Sequence, residues 1–550
     1  MATNLGLILE QALVARRQGN WPVAQRLYEA ATSAAPDNPQ IHHNLALCLY
    51  ARGQHGGAFE HAERATRGAP QLAPAWVLRA KIERDLNQVE SAAHSLNEAL
   101  NVNAAQPQAL LELAGLTINE LGDARQAQAL VAPLLGDPDY DEDAQLTTLM
   151  AKLYDRDESA EDFTAQVVAF SRRYLRMPGF RFDTRPAPPA ARAQGKSTPG
   201  PRRKRIGLLS PLFCVSPVYF FTIGALAQLA DEVDLVVFNR GTKSDWGTDK
   251  FRAIAREWHD VAHLAAEPLA NALYAQHLDA LIDLGGWTDP VGLRALSVKP
   301  APRMYKWVGG QSCTTGMDVF DGFISDAQQT PEDCKHLYTE PLLLLEGGYV
   351  SYTPPDYMPP RITRKKKAAP AGVISNPVKL SKAFLRALAA TREQLAKPAT
   401  KLRFIDRRYR HASVRERVVH GLYPKQRGNK VPEDIEFVVP ESHADYLKNV
   451  SELSLVIDTF PYNGGLTIAE ALHYGIACQT VEGSVFSGRH GLGHCYHAGY
   501  EADAKNPQAG RWQSQRAPKK SKPRKSPAND RHVAVATEML DRVGLGLAIA

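Results

Sequence analysis

Residues 458–475 read DTFPYNGGLTIAEALHYG and follow the apolar run LSLVI. The segment combines groups that could hold a phosphorylated ligand. Asn463, Gly464 and Gly465 form a tight turn, and an Ala/Leu-rich helix begins near Leu466 or Thr467. A helix N-terminus offers unpaired N–H groups and partial positive charge, which suits a phosphate. Glycine lets an oxygen approach bare backbone. Thr467 adds a hydroxyl. Glu470, one turn into the helix, could accept hydrogen bonds from ribose hydroxyls. The alternative is an ordinary strand–turn–helix junction, with Thr467 as N-cap and Glu470 as a first-turn acid.

Histidines 490, 494 and 497 invite a metal reading, but their spacing does not place a zinc set on one helix face. Ser487 and Arg489 in the same run are candidates for polar, cleft-facing roles.

A parallel sheet would position such a turn. From residue 204 short apolar runs alternate with helix-like segments: 205–210, 233–239, 278–286 and 322–326. A proline-rich interruption at 352–361 follows. The alternation restarts at 371–376, 401–406, 435–440, 453–458 and 477–481, with a helix over 382–396. Two doubly wound sheets joined by a linker make a cleft, and ligands bind outside the carboxyl ends of the strands.

The first 140 residues differ. Units starting at 5, 39, 73 and 107 align without gaps, a period of 34. Ala12, Ala46, Ala80 and Ala114 recur in the first helix of each unit. Ala24 and Ala58, then Ala31, Ala65 and Ala99, recur in the second, and Pro36, Pro70 and Pro138 close three units. The pattern resembles tetratricopeptide repeats, whose helix pairs bury their apolar faces only by stacking. Residues 141–177 read as one or two closing helices. A solenoid of this kind implies a protein or peptide partner, and self-association through the repeats stays open. The expected domains are a repeat domain over 1–180, a Pro/Ala/Arg-rich linker over 181–203, one α/β half over 204–360, a second over 361–500, and a flexible basic stretch with a terminal helix over 501–550.

The 550 residues exceed one hydrophobic core. No apolar run reaches the ~18 residues of a membrane span, and the N-terminus lacks a signal peptide's clean apolar stretch. Six scattered cysteines (Cys48, Cys214, Cys313, Cys334, Cys478, Cys495) form no CxxC pair, as expected of a cytoplasmic protein without structural zinc. The net charge of +6 is concentrated at 364–367 and 516–525; without interleaved aromatics it reads as solvated charge, not a nucleic-acid surface.

DTFPYNGGLTIAEALHYG resembles the nucleotide-sugar loop of the protein O-GlcNAc transferase/SPINDLY family. The similarity extends through DLGGWT (283–288), KPAPRMYKWVGGQSCTTGMDVFDGFISD (299–326), YTEPLLLLEGG (338–348) and ISNPVKLS (374–381), in family order. It implies a GT-B glycosyltransferase of two Rossmann-like halves behind the repeats. The implied reaction is an inverting, metal-independent transfer, without cofactor, from a nucleotide sugar, UDP-GlcNAc by default, to a protein hydroxyl. By position, Lys379 corresponds to the lysine that contacts the donor's β-phosphate, and Asn376 to a phosphate-facing amide. Gly465, Leu466 and Thr467 overlay a His-Thr-Thr run. Glu470 overlays the ribose-binding acid, and Tyr446 lies where a base-stacking histidine is common. The loop 309–316, with Thr314 and Thr315, would face the sugar.

One departure stands out. Where the family has Asp-Phe-x-x-His-Pro and a second histidine, this chain reads PLFCVSPVYF (211–220). Ser216 and Phe220 replace the two histidines, Tyr219 is the nearest ionisable group in that turn, and no neutral-pH base remains there. Trp287 stands where relatives carry His or Tyr, and reads equally as a packed core aromatic. Three outcomes are open: catalysis without that base, a different sugar or acceptor, or a weak or inactive domain acting as a repeat scaffold or nucleotide-sugar sensor.

Overall fold

The computed structural model describes residues 2–179, 182, 202–360, 369–395, 401–425, 430–502, 513–516 and 528–542. The basic run 364–367, most of the linker, and positions 517–525 lie outside them. The chain divides into two compact units, Met1–Lys152 and Leu153–Ala550.

The first unit is a run of antiparallel helix pairs with the 34-residue period. All nine recurring alanines are buried, because only a methyl-sized side chain fits where neighbouring helices touch. Asn20, Asn38 and Asp123 cap the helices that follow them. The fourth unit departs from the pattern: its first helix, Pro107–Leu116, ends in a π turn, Thr117–Leu121, stopped by left-handed Gly122.

The second unit carries two seven-stranded sheets. The first contains β1 (Arg205–Ser210), β2 (Asp234–Asn239), β3 (Glu257–Asp260), β4 (Ala280–Asp283), β5 (Met304–Lys306), β6 (Gly322–Ser325) and β7 (Leu342–Leu344). All are parallel, in the order β3-β2-β1-β4-β5-β6-β7. The second contains β8 (Ala371–Val373), β9 (Leu402–Ile405), β10 (Ile435–Val438), β11 (Leu455–Ile457), β12 (Ala477–Thr480), β13 (Glu501–Ala502) and β14 (Gln513–Arg516). Its order is β10-β9-β8-β11-β12-β14-β13, and the last two strands run antiparallel. The apolar runs of β1 and β2 are buried along almost their whole length, as strands covered on both faces must be.

The expected boundaries shift in three places. Residues 153–179 belong to the α/β unit and not to the repeats. Phe170 packs on Trp287, the Ser171 hydroxyl donates to the Thr315 carbonyl at 2.6 Å, and Arg294 donates to the Tyr174 carbonyl at 2.9 Å. The linker's ends are anchored: Phe182 stacks on Tyr274, and Arg202 Nη2 donates to both carboxylate oxygens of Asp279 at 3.0 and 2.9 Å. Beyond residue 500, β13 and β14 extend the second sheet, while the helix Ala528–Arg542 returns to the first half. There Val535, Ala536 and Met539 join the core around Pro217–Glu232, and Glu538 accepts the amides of Glu346 and Gly347.

Candidate functional site

Each sheet winds outward in both directions from a central strand pair, and the topological switch point is where a crevice opens. In the second sheet the pair is β8 and β11. Asn376 and Lys379 follow β8, and the Asp458–Thr467 loop follows β11. Residues 84 positions apart thereby meet: Lys379 Nζ donates to the Asn463 carbonyl at 2.7 Å. Ser381 donates to the Phe460 carbonyl, and the Thr459 hydroxyl donates to the Ser375 hydroxyl at 3.2 Å, lacing the two loops together.

Within the loop, Asp458 is fully buried. Its carboxylate accepts the Gly464 amide at 2.6 Å, the Thr459 amide at 2.9 Å and the Thr480 hydroxyl at 2.8 Å. Glycine is needed at 464 for this close approach. A Cβ there would fall 2.6 Å from Thr467 Oγ1 and 2.8 Å from Ile468 Cγ1. Gly464, expected to let a phosphate oxygen approach bare backbone, gives its own N–H to Asp458. The amides that remain belong to the first turn of the helix Leu466–His473, which has no side-chain cap. Thr467 is accordingly a first-turn residue and not the N-cap. Nearby, Asn463 Oδ1, Thr467 Oγ1 and Ser487 Oγ are buried without a protein partner. Such atoms are rare in native structures and mark places where a ligand or water completes the bonding.

Asn376 caps the short turn Pro377–Lys379 by accepting the Val378 amide. Lys379 lies over the Tyr462 ring, 4.1 Å from its centroid, and Tyr154 stacks on Tyr462 at 5.1 Å. Burial pulls the Lys379 ammonium down to about 8, against the opposing attraction of Asp458, whose own carboxyl burial pushes up. Tyr154 carries no motif and Tyr462 lies within DTFPYNGG; only the fold stacks the two rings beside the lysine.

Glu470 is buried, and its carboxyl is raised by that burial. His443 opposes the shift, with Nε2 2.7 Å from Glu470 Oε1. Tyr446 does not itself stand alone as the aromatic of this corner; it stacks on His443 at 5.8 Å. His443 went unrecognised in the sequence because an isolated histidine early in a short helix carries no spacing signal.

Across the cleft, the departures from the family pattern have structural explanations. Ser216 is the N-cap of the helix Pro217–Glu232: its hydroxyl accepts the Tyr219 amide and donates to the Leu212 carbonyl at 3.0 Å. Ser216→Ala should lower stability by about 1 kcal/mol, read from the urea midpoint. Tyr219 packs edge-on against Trp246 and Phe251, and Phe220 against Trp246 and Tyr352. Trp287 is a core aromatic whose indole N–H donates to the Thr314 carbonyl. Thr314 and Thr315 are also corrected. Both hydroxyls donate to the buried Glu340 carboxylate, as does the Thr315 amide, so these side chains fasten the turn and do not present hydroxyls to a sugar. The loop's other anchor is Lys306, fully buried on β5. Its ammonium donates to the carbonyls of Asp283, Val308 and Gly309 and pairs with Asp283 Oδ2 at 3.2 Å.

The two halves meet at Ser312, whose carbonyl accepts the Ser487 amide at 3.0 Å and whose hydroxyl bonds Tyr462. Arg489 is consumed by Gln328, Glu482 and Gly483, which makes it a strut and not a cleft-facing group. His490 is buried and His494 half-buried, and desolvation holds both neutral, while His497 faces Asp326 at 3.1 Å. No cluster of metal-ligating side chains occurs among the described residues.

The sequence and fold have relatives. A Tetratricopeptide repeat family model matches residues 9–73. A Solanum lycopersicum protein named "Probable UDP-N-acetylglucosamine--peptide N-acetylglucosaminyltransferase SPINDLY" is 28% identical over 293 residues, covering 51% of this chain and 30% of the relative. The Arabidopsis thaliana protein of the same name is 27% identical over 288 residues, covering 51% and 31%. A solved structure of a Thermobaculum terrenum O-GlcNAc transferase mutant matches across 100% of this chain and 90% of that one, with a TM-score of 0.59 at 23% identity. The chain is similar in sequence to SPINDLY proteins over about half its length and in fold to an O-GlcNAc transferase. It shares their arrangement of tetratricopeptide repeats ahead of a GT-B fold, and it spans about 30% of the length of these curated SPINDLY relatives.

Proposed function

We propose that this chain is a protein O-glycosyltransferase. It transfers one sugar from a nucleotide donor, UDP-GlcNAc by default, to a Ser or Thr of a protein recruited by the repeats. The observation that carries the reading is the β8/β11 switch point. A lysine, an uncapped helix N-terminus and the buried, unpartnered oxygens of Asn463, Thr467 and Ser487 converge on adjacent strand ends.

The chemistry follows from charge. As the glycosidic bond breaks, the departing nucleoside diphosphate gains negative charge. Lys379 and the amides of Leu466 and Thr467 would stabilise that state more than the intact donor, which accelerates the step. We assign Asn376 to phosphate contact and Glu470 to the ribose, with inversion at the anomeric carbon and no metal or cofactor. Within the repeats, a cavity of about 430 Å3 lined by Arg84, Leu111, Glu112, Asn119, Asp143 and Leu146 is a peptide-docking candidate. The six free thiols favour a reducing, cytoplasmic setting.

Incubation with UDP-GlcNAc, GDP-sugars or CMP-sugars and candidate acceptor proteins tests this by the mass of one added sugar. Nucleotide binding without turnover of any donor would overturn the transferase reading. It would instead support a scaffold or nucleotide-sugar sensor, which the structural roles of Ser216 and Phe220 favour.

The depressed Lys379 gives a pH signature. In the unliganded protein the lysine is a cation below about 8 and neutral above it. UDP affinity should therefore hold steady below pH 8 and fall as pH rises beyond about 8. Calorimetric titrations from pH 6.5 to 9.5 would show the break. A flat profile through pH 9 would argue against a direct phosphate contact.

A further inference from the structure

We propose that His443 is the positioning residue for Glu470 and thereby sets how strongly the site selects an intact ribose diol; this rests on the donor-site reading above.

Glu470 needs help to act as an acceptor. It is buried on the second turn of its helix, and burial favours the neutral acid. A protonated carboxyl would lose acceptor capacity toward two sugar hydroxyls. The N–H of His443 at Nε2 opposes this by donating to Oε1 at 2.7 Å.

The tautomer is set from the other side. Tyr357 Oη lies 2.8 Å from His443 Nδ1. Burial pushes the Tyr357 phenol up to about 12, so it keeps its proton and donates. Nδ1 is then the acceptor and Nε2 carries the hydrogen that Glu470 receives. The imidazole plane is also clamped. Tyr446 stacks on it, Phe220 packs at 5.3 Å, and Tyr357 meets it edge-on at 5.7 Å. Phe220, the residue that replaces a family histidine in the first half, thus becomes a wall for a histidine supplied by the second.

The relay Tyr357–His443–Glu470 spans both halves of the α/β unit. Its separate parts have no common motif: Tyr357 lies in the proline-rich interruption, His443 at a helix start and Glu470 in the donor loop.

The test is calorimetric titration of the full chain with UDP and with 2′,3′-dideoxy-UDP. The wild type should bind UDP at least tenfold more tightly than the dideoxy compound. His443→Ala should weaken UDP binding about tenfold or more while leaving the dideoxy compound nearly unchanged. His443→Gln, whose amide N–H can reach the Nε2 position, should restore most of the difference. Tyr357→Phe should give a smaller loss in the same direction. In turnover, the loss should appear in KM for the donor with little change in kcat. Thermal melts check that each variant folds. An unchanged UDP-to-dideoxy ratio in a folded His443→Ala overturns the assignment. A wild type that binds neither UDP nor GDP overturns the donor-site reading itself, and this assignment with it.

Discussion

Replacing Lys379 with alanine is expected to lower the rate of sugar transfer about 100- to 1000-fold, the range seen when one fixed group that stabilises developing negative charge is removed. The geometry explains so large an effect. The ammonium is held by the Asn463 carbonyl and the Tyr462 ring, so it is already oriented before any donor arrives. A preorganised cation in a water-poor crevice acts far more strongly than one in solvent. UDP affinity should also fall, but by less than the rate, because the charge on the leaving group grows during the reaction. Lys379→Arg should recover little: a planar guanidinium presents a different shape to Tyr462 and the Asn463 carbonyl. Single-turnover rates alongside UDP titration separate the two effects. Transfer at the wild-type rate in Lys379→Ala would falsify the proposed role.

The second large effect is on stability. Lys306→Met should destabilise the α/β unit by about 3–5 kcal/mol, the cost typical of breaking a buried ion pair from one side. Lys306 is about 1% exposed and Asp283 about 2%. Methionine fills comparable space but leaves the Asp283 charge buried with only the Gly285 and Gly286 amides. The carbonyls of Val308 and Gly309 also lose their donor. Those carbonyls begin the loop that reaches Ser312, so the contact with Tyr462 and Ser487 should loosen as well. Urea unfolding gives the magnitude. Adding Asp283→Asn to Lys306→Met should recover part of the loss, because no net charge then stays buried. A Lys306→Met protein as stable as the wild type would show that the cage contributes nothing net.

The corrections share a cause. Thr314 and Thr315 look like cleft hydroxyls in a glycine-bounded turn. Their partner, Glu340, lies 26 and 25 residues away, and nothing in the local text shows that it accepts from both. Gly464 reads as bare backbone open to a phosphate oxygen, yet Asp458 folds back onto its amide. Ser216 reads as a missing base and is also a helix cap that satisfies two backbone groups. In each case a polar group that is ambiguous in sequence is committed by a partner that only the folded chain supplies.

The sequence by itself determined the repeats and nine of the strands in order, and missed the short strands β3, β5, β7, β13 and β14. Period 34 with buried alanines specifies stacked helix pairs, because close helix contact tolerates only small side chains there. Alternating apolar runs specify parallel strands covered on both faces, because such strands have no polar side to expose. The candidate donor loop was legible too, since a strand, a glycine turn and a helix start are local features. Tertiary structure decided which polar groups remain available. The adjacency of β8 and β11, the Tyr154–Tyr462 stack on Lys379, and the Tyr357–His443–Glu470 relay all join residues far apart in the chain. Hydrogen bonding is short-ranged and saturable, so a side chain's role depends on which neighbour claims it first. That choice is made by packing, at distances along the chain where sequence spacing carries no signal.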